Sequence, residues 1–239
     1  MPCKKLFVTA TDTNTGKTVF CALLIGRLLK EGKKVAYFKP IQTGCQQNEI
    51  AGRLEVPDPE FVRLKNPIAS VQNTYALKEP ATPELAARLE NTQINFSVIK
   101  DDLAELEKKH DFVIIEGAGG LLVPVCEGKT IADLIVHLEV PALLVSANRL
   151  GSINHTCLSA FYGQNKGIKL LGFVFNDIDL PFTAEPTVTP VKESNAQFIV
   201  EYSSIQCLGE IMHFDINDDA AWQEAMNSPM FERIQKALT

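Results

Sequence analysis

Residues 6–20 read LFVTATDTNTGKTVF. An apolar, β-branched run gives way to a small polar loop, and Gly16-Lys17-Thr18 then opens an amphipathic stretch over 17–30. Strand, loop and helix start in that order aim backbone N–H groups and the positive end of a helix dipole at a phosphate. Lys17 adds a compact cation, and the Thr18 hydroxyl is suited to a Mg²⁺ ion. A chance Gly-Lys-Thr at a helix N-terminus is the alternative, and the strand before it and the helix after it weigh against that. The loop still departs from the common G-x-x-x-x-G-K-[ST] pattern, whose first glycine would fall at position 11, where the chain has Thr11.

Working outward, further apolar runs occur at 33–39, 111–117, 141–147, 170–176 and 205–211. Strands apolar on both faces belong in a parallel sheet covered on each side. Between them lie helix candidates at 98–109, 130–138, 152–166 and 219–237. This β-α alternation predicts a doubly wound, mostly parallel α/β fold of the P-loop NTPase type. Residues 44–97 read as a long insertion, with possible helices at 58–64 and 83–90, and 177–190 as an extended loop around Pro181, Pro186 and Pro190. The 239 residues are accommodated by one domain, taken as 1–239.

Composition narrows the classes of function. A net charge of −6 with no Lys/Arg cluster argues against a nucleic-acid surface. Six scattered cysteines without a Cys-x-x-Cys pair suggest neither a zinc site nor a redox motif, and point to a reducing cytoplasm. The N-terminal apolar run is too short for a signal peptide, and no window is long enough to span a membrane.

In an open sheet of this kind the ligand lies beyond the carboxyl ends of the strands, so polar residues there carry the candidate chemistry. Glu116, in VIIEGAGG, ends an apolar strand with a carboxylate suited to Mg²⁺, and the glycines after it allow close backbone approach. Its alternative is a solvent-facing strand end. Lys39, in YFKPIQTG, stands where Pro40 should end the second strand; it would neutralise charge on a transferring γ-phosphoryl group, or is simply a solvated lysine. Gly151 and Ser152 precede a helix whose free N–H groups would suit a carboxylate, although Ser152 or Asn154 serves equally as an ordinary cap. His155 reads as helix surface or core. In FNDID, Asp177 replaces the lysine of the guanine-reading Asn-Lys-x-Asp motif, which argues against guanine, while Asn176 remains suited to a base edge.

These stretches, in order, resemble the dethiobiotin synthetase family: TDTNTGKT (11–18), FKPIQTG (38–44), EPATPELAA (79–87), VIIEGAGG (113–120), LGSINHTCL (150–158), FND (175–177) and LGEI (208–211). The family's phosphate loop has five residues between its glycines, so the first glycine maps to Ala10. The resemblance implies a homodimer that uses ATP and Mg²⁺ to join CO₂ to the two amines of 7,8-diaminopelargonic acid, closing a cyclic urea. It also implies that Asn14, Thr15, Gly16, Lys17, Thr18 and Val19 cradle the nucleotide, with Gly117, Ala118 and Gly119 alongside. Thr18, Glu116 and Asp58 would hold Mg²⁺, Lys39 would stabilise the carbamate, and Thr13 and Thr43 would bind the carbamate or amines. Backbone amides of Gly151, Ser152, Ile153 and Asn154, from the second subunit, would take the substrate carboxylate; Asn176, Asp177 and the main chain of Ile211, Met212 and His213 would meet adenine.

Glu84 and Met212 depart from the family's usual histidine and proline. Two rivals share the scaffold. Cobyrinic and cobyric acid synthetases need a glutaminase domain for which this length leaves no room. Partitioning or septum-positioning ATPase switches carry a lysine five residues before the loop lysine, where this chain has Asp12, and the C-terminal 220–239 stretch is interrupted by Pro229 rather than forming a basic membrane helix.

Overall fold

The computed structural model describes residues 2–48, 52–177 and 189–238. The elements run β1 (Lys4–Ala10), α1 (Lys17–Lys30), β2 (Val35–Gln42), β3 (Gln46–Asn48), β4 (Arg53–Glu55), α2 (Pro57–Lys65), β5 (Ser70–Ala76), α3 (Pro83–Leu89), α4 (Phe96–Glu107) and β6 (Phe112–Gly120). They continue β7 (Pro124–Cys126), β8 (Lys129–Thr130), α5 (Ile131–Leu138), β9 (Ala142–Ser146), α6 (Ser152–Asn165), β10 (Leu170–Asn176), α7 (Thr189–Ser203), β11 (Cys207–Ile211), α8 (Asp219–Met226) and α9 (Met230–Ala237).

Seven strands form one sheet in the order β11-β10-β9-β1-β6-β2-β5, and all its pairings are parallel. Strand alternation sorts the two cores. Leu6, Val8, Val35, Tyr37, Phe112 and Ile114 face α1, α2, α8 and α9, where Phe20 meets Phe231 with ring centroids 5.9 Å apart. Phe7, Phe38, Val113, Ile115 and Phe173 face α4, α5, α6 and α7 on the other side. Two apolar faces per strand are what made these runs read as buried parallel strands, and the doubly wound fold is borne out.

Four details differ from the sequence reading. The second strand does not end at Pro40 but continues to Gln42. Its ladder with β6 stops at Phe38, while pairing with β5 skips Pro40 and resumes at Ile41, so the missing proline N–H falls where no acceptor is waiting. The 44–97 insertion supplies the sheet's edge strand β5, SVQNTYA, whose half-buried and largely polar side chains hide it from a hydrophobicity scan. The single helix expected over 219–237 is two, α8 and α9, parted at Asn227–Pro229 because the proline ring cannot continue the first helix. Of the loop expected at 177–190, residues 178–188 lie outside the described residues, and Thr189–Pro190 belongs to α7. Among the described residues no helix is long and apolar enough to cross a membrane.

Candidate active site

β1 delivers the chain into the loop in strand geometry. Ala10 is its last residue, fully buried, and is not among the positive-φ positions, so a Cβ in place of the family's glycine costs no backbone strain. The left-handed conformations fall instead at Asn14 (φ 56°) and Gly16 (φ 73°). A Cβ on Gly16 would stand 2.2 Å from Nδ2 of Asn176, so only glycine fits there. That same Asn176 amide donates to the Gly16 carbonyl at 2.8 Å, fastening the end of β10 to the loop. Asp12 closes the loop from within: its carboxylate accepts from the Thr13 N–H at 2.7 Å, and its carbonyl accepts from Lys17 Nζ at 3.4 Å.

The carboxyl ends of β1, β2 and β6 open into a cleft of about 690 Å³. Thr13, Asn14, Gly16, Lys17, Thr18, Val19, Lys39, Thr43, Asp58, Glu116, Ala118 and Gly119, all named from sequence, line it together. At its centre lies a cation between carboxylates. Lys39 Nζ is 2.8 Å from Glu116 Oε1 and 2.6 Å from Asp58 Oδ2, and donates to the Gly117 carbonyl at 3.2 Å. Lys39 is therefore no solvated strand end, being only 3% exposed, and Glu116 at 1% exposure faces inward rather than to solvent. The Thr18 hydroxyl donates to Glu116 Oε1 at 3.0 Å and the Tyr37 hydroxyl to Oε2 at 2.8 Å.

Burial by itself would lower the Lys39 pKa, but Glu116 and Asp58 outweigh it and hold the ammonium above its ordinary range. Asp58 shows the reciprocal effect: burial pushes its carboxyl up, and the charge and hydrogen bond of Lys39 bring it below the usual value. Lys17 lies below the ordinary lysine range because desolvation exceeds the pull of Glu116. Burial and the Glu116 charge raise both Tyr37 and Cys21, so each keeps its proton. The cleft thus holds two buried lysines whose pKa values are moved in opposite directions.

Thr18, Asp58 and Glu116 form an oxygen-only donor set beside the phosphate loop. Among the described residues no group of three or more His, Cys, Asp or Glu could hold a metal by itself. The oxygen-only chemistry of Thr18, Asp58 and Glu116 suits Mg²⁺, which binds through one or two carboxylates and completes its shell with water and substrate phosphates.

The other sequence-named residues lie elsewhere. The buried Asp177 carboxylate accepts from the Asn148 N–H at 2.9 Å and pairs with Lys192, tying β10 to the segment after β9. Its own N–H donates to Ile211 at 3.1 Å, and Met212 and His213 are exposed just beyond β11. At the start of α6, Gly151 has φ 93°, while the Ser152 N–H donates to the Arg149 carbonyl and the Ser152 hydroxyl bridges the Arg149 N–H and the Ala147 carbonyl. Ser152 is thus locally satisfied. His155 is exposed.

Sequence reasoning missed the wall formed by Pro80, Ala81, Thr82, Pro83 and Val123. The EPATPELAA stretch signalled it as a motif, with no chemistry to assign. It also missed Tyr37, whose only signal was its place two residues before Lys39 on one face of β2.

Comparison with known proteins agrees with this geometry. Residues 4–216 match a family described as an AAA domain. The ATP-dependent dethiobiotin synthetase of Halalkalibacterium halodurans is 36% identical over 86% of this chain and 83% of its own length. That of Fusobacterium nucleatum is 39% identical over 74% of this chain and 80% of its own. Among solved structures, the cell division ATPase MinD of Pyrococcus furiosus gives a TM-score of 0.62 at 16% identity, covering 98% of both chains. The MinC:MinD complex of Aquifex aeolicus gives 0.62 at 15%, covering 98% of this chain and 96% of that one. At such identities the structural likeness shows a P-loop NTPase fold and nothing finer. The sequence relatives go further, and with them the chain belongs to the dethiobiotin synthetase family.

Proposed function

We propose that the chain, as one domain over residues 1–239, is the carbon–nitrogen ligase that converts 7,8-diaminopelargonic acid, CO₂ and ATP to dethiobiotin, ADP and phosphate. The observation that supports this most is the meeting of Lys39, Lys17 and Thr18 with Glu116 and Asp58 at one end of a cleft whose other end is Thr43 and the Pro80–Pro83 wall. One end suits a triphosphate; the other has room and hydroxyls for a small diamine.

In this reading one substrate amine captures CO₂ as a carbamate, losing a proton. A carbamate oxygen attacks the γ-phosphorus of ATP, the bond to the β-phosphate oxygen breaks, and ADP leaves. The second amine then attacks the carbamoyl carbon, the C–O bond to phosphate breaks, and the cyclic urea closes. Two anions must approach each other in the middle step, and Lys39 and Lys17 supply the positive charge that permits it. Loop N–H groups from Asn14 to Val19 orient the phosphates, with the 117–119 backbone beside them. Thr13 and Thr43 hydrogen-bond the carbamate and amines. Thr18, Asp58 and Glu116 would hold Mg²⁺, which withdraws charge from the phosphate oxygens. Adenine is assigned to the 211–213 main chain and to Asn176 and Asp177.

A homodimer in a reducing cytoplasm completes the proposal. Exposed Leu158 of α6 and Leu122 line a pocket with Thr11, Asp12 and Thr13 of the loop, and Leu150 and Phe161, before and on α6, are exposed as well, so this side of the molecule offers apolar surface. Burying it against a second copy would bring the α6 N-terminus of one subunit, residues 151–154, toward the cleft of the other, where it would take the substrate carboxylate.

The test incubates the purified protein with 7,8-diaminopelargonic acid, bicarbonate, ATP and Mg²⁺, following ADP and dethiobiotin by mass spectrometry. Dethiobiotin formed in step with ADP is expected. ADP release without dependence on the diamine would overturn the proposal and favour a nucleotide-driven switch.

A further inference from the structure

Tyr37 is fully buried on β2, directly opposite Ile114 of β6 and one step short of Lys39 on the same face. Its ring packs in the apolar layer under α1, a place that asks only for bulk. A buried tyrosine hydroxyl needs a partner, and this one donates to Oε2 of Glu116 at 2.8 Å. The two oxygens of Glu116 are thereby divided: Oε1 faces Thr18 and Lys39 in the cleft, and Oε2 faces Tyr37 in the core. The last torsion of a glutamate is broad and only weakly fixed by its own chain. Lys39 and Thr18 hold Oε1 and the buried Cys21 thiol also bonds Glu116, while the Tyr37 hydroxyl holds Oε2 and so helps set which way the carboxylate plane turns.

We propose that Tyr37 is a positioning residue, fixing the Glu116 carboxylate so that Oε1 is presented beside Thr18 to the divalent cation of the bound nucleotide. This rests on the Mg²⁺ assignment made above. Tyr37 touches neither substrate nor cation, and acts through Glu116. Partners of this kind behind a ligating group commonly contribute about 10-fold or more to metal affinity.

Tyr37→Phe removes the hydroxyl and keeps the ring. The measurement is the affinity of a fluorescent N-methylanthraniloyl-ADP, with and without Mg²⁺, for the wild type, Tyr37→Phe, Glu116→Gln and the double variant, with a thermal melt of each. Binding without Mg²⁺ is expected to be alike in wild type and Tyr37→Phe, and the tightening caused by Mg²⁺ to fall about 10-fold in Tyr37→Phe. Glu116→Gln should lose that tightening, and adding Tyr37→Phe to it should change nothing more. Full Mg²⁺ tightening in Tyr37→Phe alongside its loss in Glu116→Gln would overturn the positioning role alone. Equal weakening with and without Mg²⁺, together with a lower melting temperature, would also overturn it, leaving a packing role. Full tightening in Glu116→Gln would remove the Mg²⁺ assignment, and the inference with it.

Discussion

Replacing Lys39 by methionine would take a cation from between two carboxylates while keeping a side chain of similar length. Asp58 retains 26% side-chain exposure and can rehydrate, so the loss falls mainly on Glu116, which would keep the uncharged donors Thr18, Tyr37 and Cys21 in a site nearly closed to water. Removing one partner of a buried ion pair costs about 3–5 kcal/mol, and rehydration of Asp58 places this case near the lower end, about 3 kcal/mol. For a chain of this size each kcal/mol moves the melting temperature by about 2–4 °C, so we predict a drop of about 6–12 °C. The deficit should hold through neutral pH. Because the folded pKa of Lys39 is raised, its contribution is complete below the unfolded value of 10.5 and is lost only as pH rises through the higher folded value. Turnover should fall by about 10²–10³, as when one preorganised charge is removed from a transition state. Calorimetry and an ADP assay on one preparation suffice. A melting temperature within about 2 °C of wild type would refute the charge balance drawn here, since less than 1 kcal/mol would then have been lost. Retained turnover would refute the role of Lys39 in the chemistry.

Two further changes probe the loop and the metal site. In Gly16→Ala the new Cβ would displace Asn176 from 2.2 Å and force a left-handed alanine, costing about 2–3 kcal/mol from strain and one lost hydrogen bond; urea unfolding reads it, and an unchanged midpoint would mean the loop yields. Asp58→Asn should raise the Mg²⁺ concentration needed for half-maximal turnover, and an unchanged titration would exclude Asp58 from the site. Its stability cost has a defined pH window: with the folded pKa lowered by Lys39 against the effect of burial, the contribution of Asp58 is present above 3.8 and disappears as pH falls through the lower folded value. Variant and wild type should therefore converge in acid.

The parts of this molecule that were legible in its sequence are those whose reason is local. β1 and β6 are apolar on both faces, and α1 begins after a glycine held in a left-handed conformation that side chains disfavour. β5 was illegible because an edge strand needs little apolar area, and SVQNTYA is recognisable only by its pairing with β2. Pro40 misled for a related reason, since whether a strand tolerates proline depends on which neighbour its N–H would face. The site shows the same division. Lys17 and Thr18 follow from the loop, whereas Lys39, Asp58 and Glu116 are brought together from β2, α2 and β6. Lys39 taken alone reads more readily as a solvated lysine; only the fold surrounds it with carboxylates.

That arrangement bears on why a scaffold shared with the septum-site ATPases serves a metabolite here. Such switches place a lysine five residues before the loop lysine. In this chain Asp12 stands there, its carboxylate turned back onto the Thr13 N–H and its carbonyl toward Lys17. A carboxylate in that place cannot supply positive charge to a γ-phosphate. Besides Lys17 of the loop, the second cation of the cleft is Lys39, on a strand that continues to Gln42 with Thr43 next along the same wall. A charge carried on that strand is positioned between the phosphate loop and the space left for a second substrate. In the proposed reaction it would act together with Lys17, which lies at the phosphate-loop end of the same cleft.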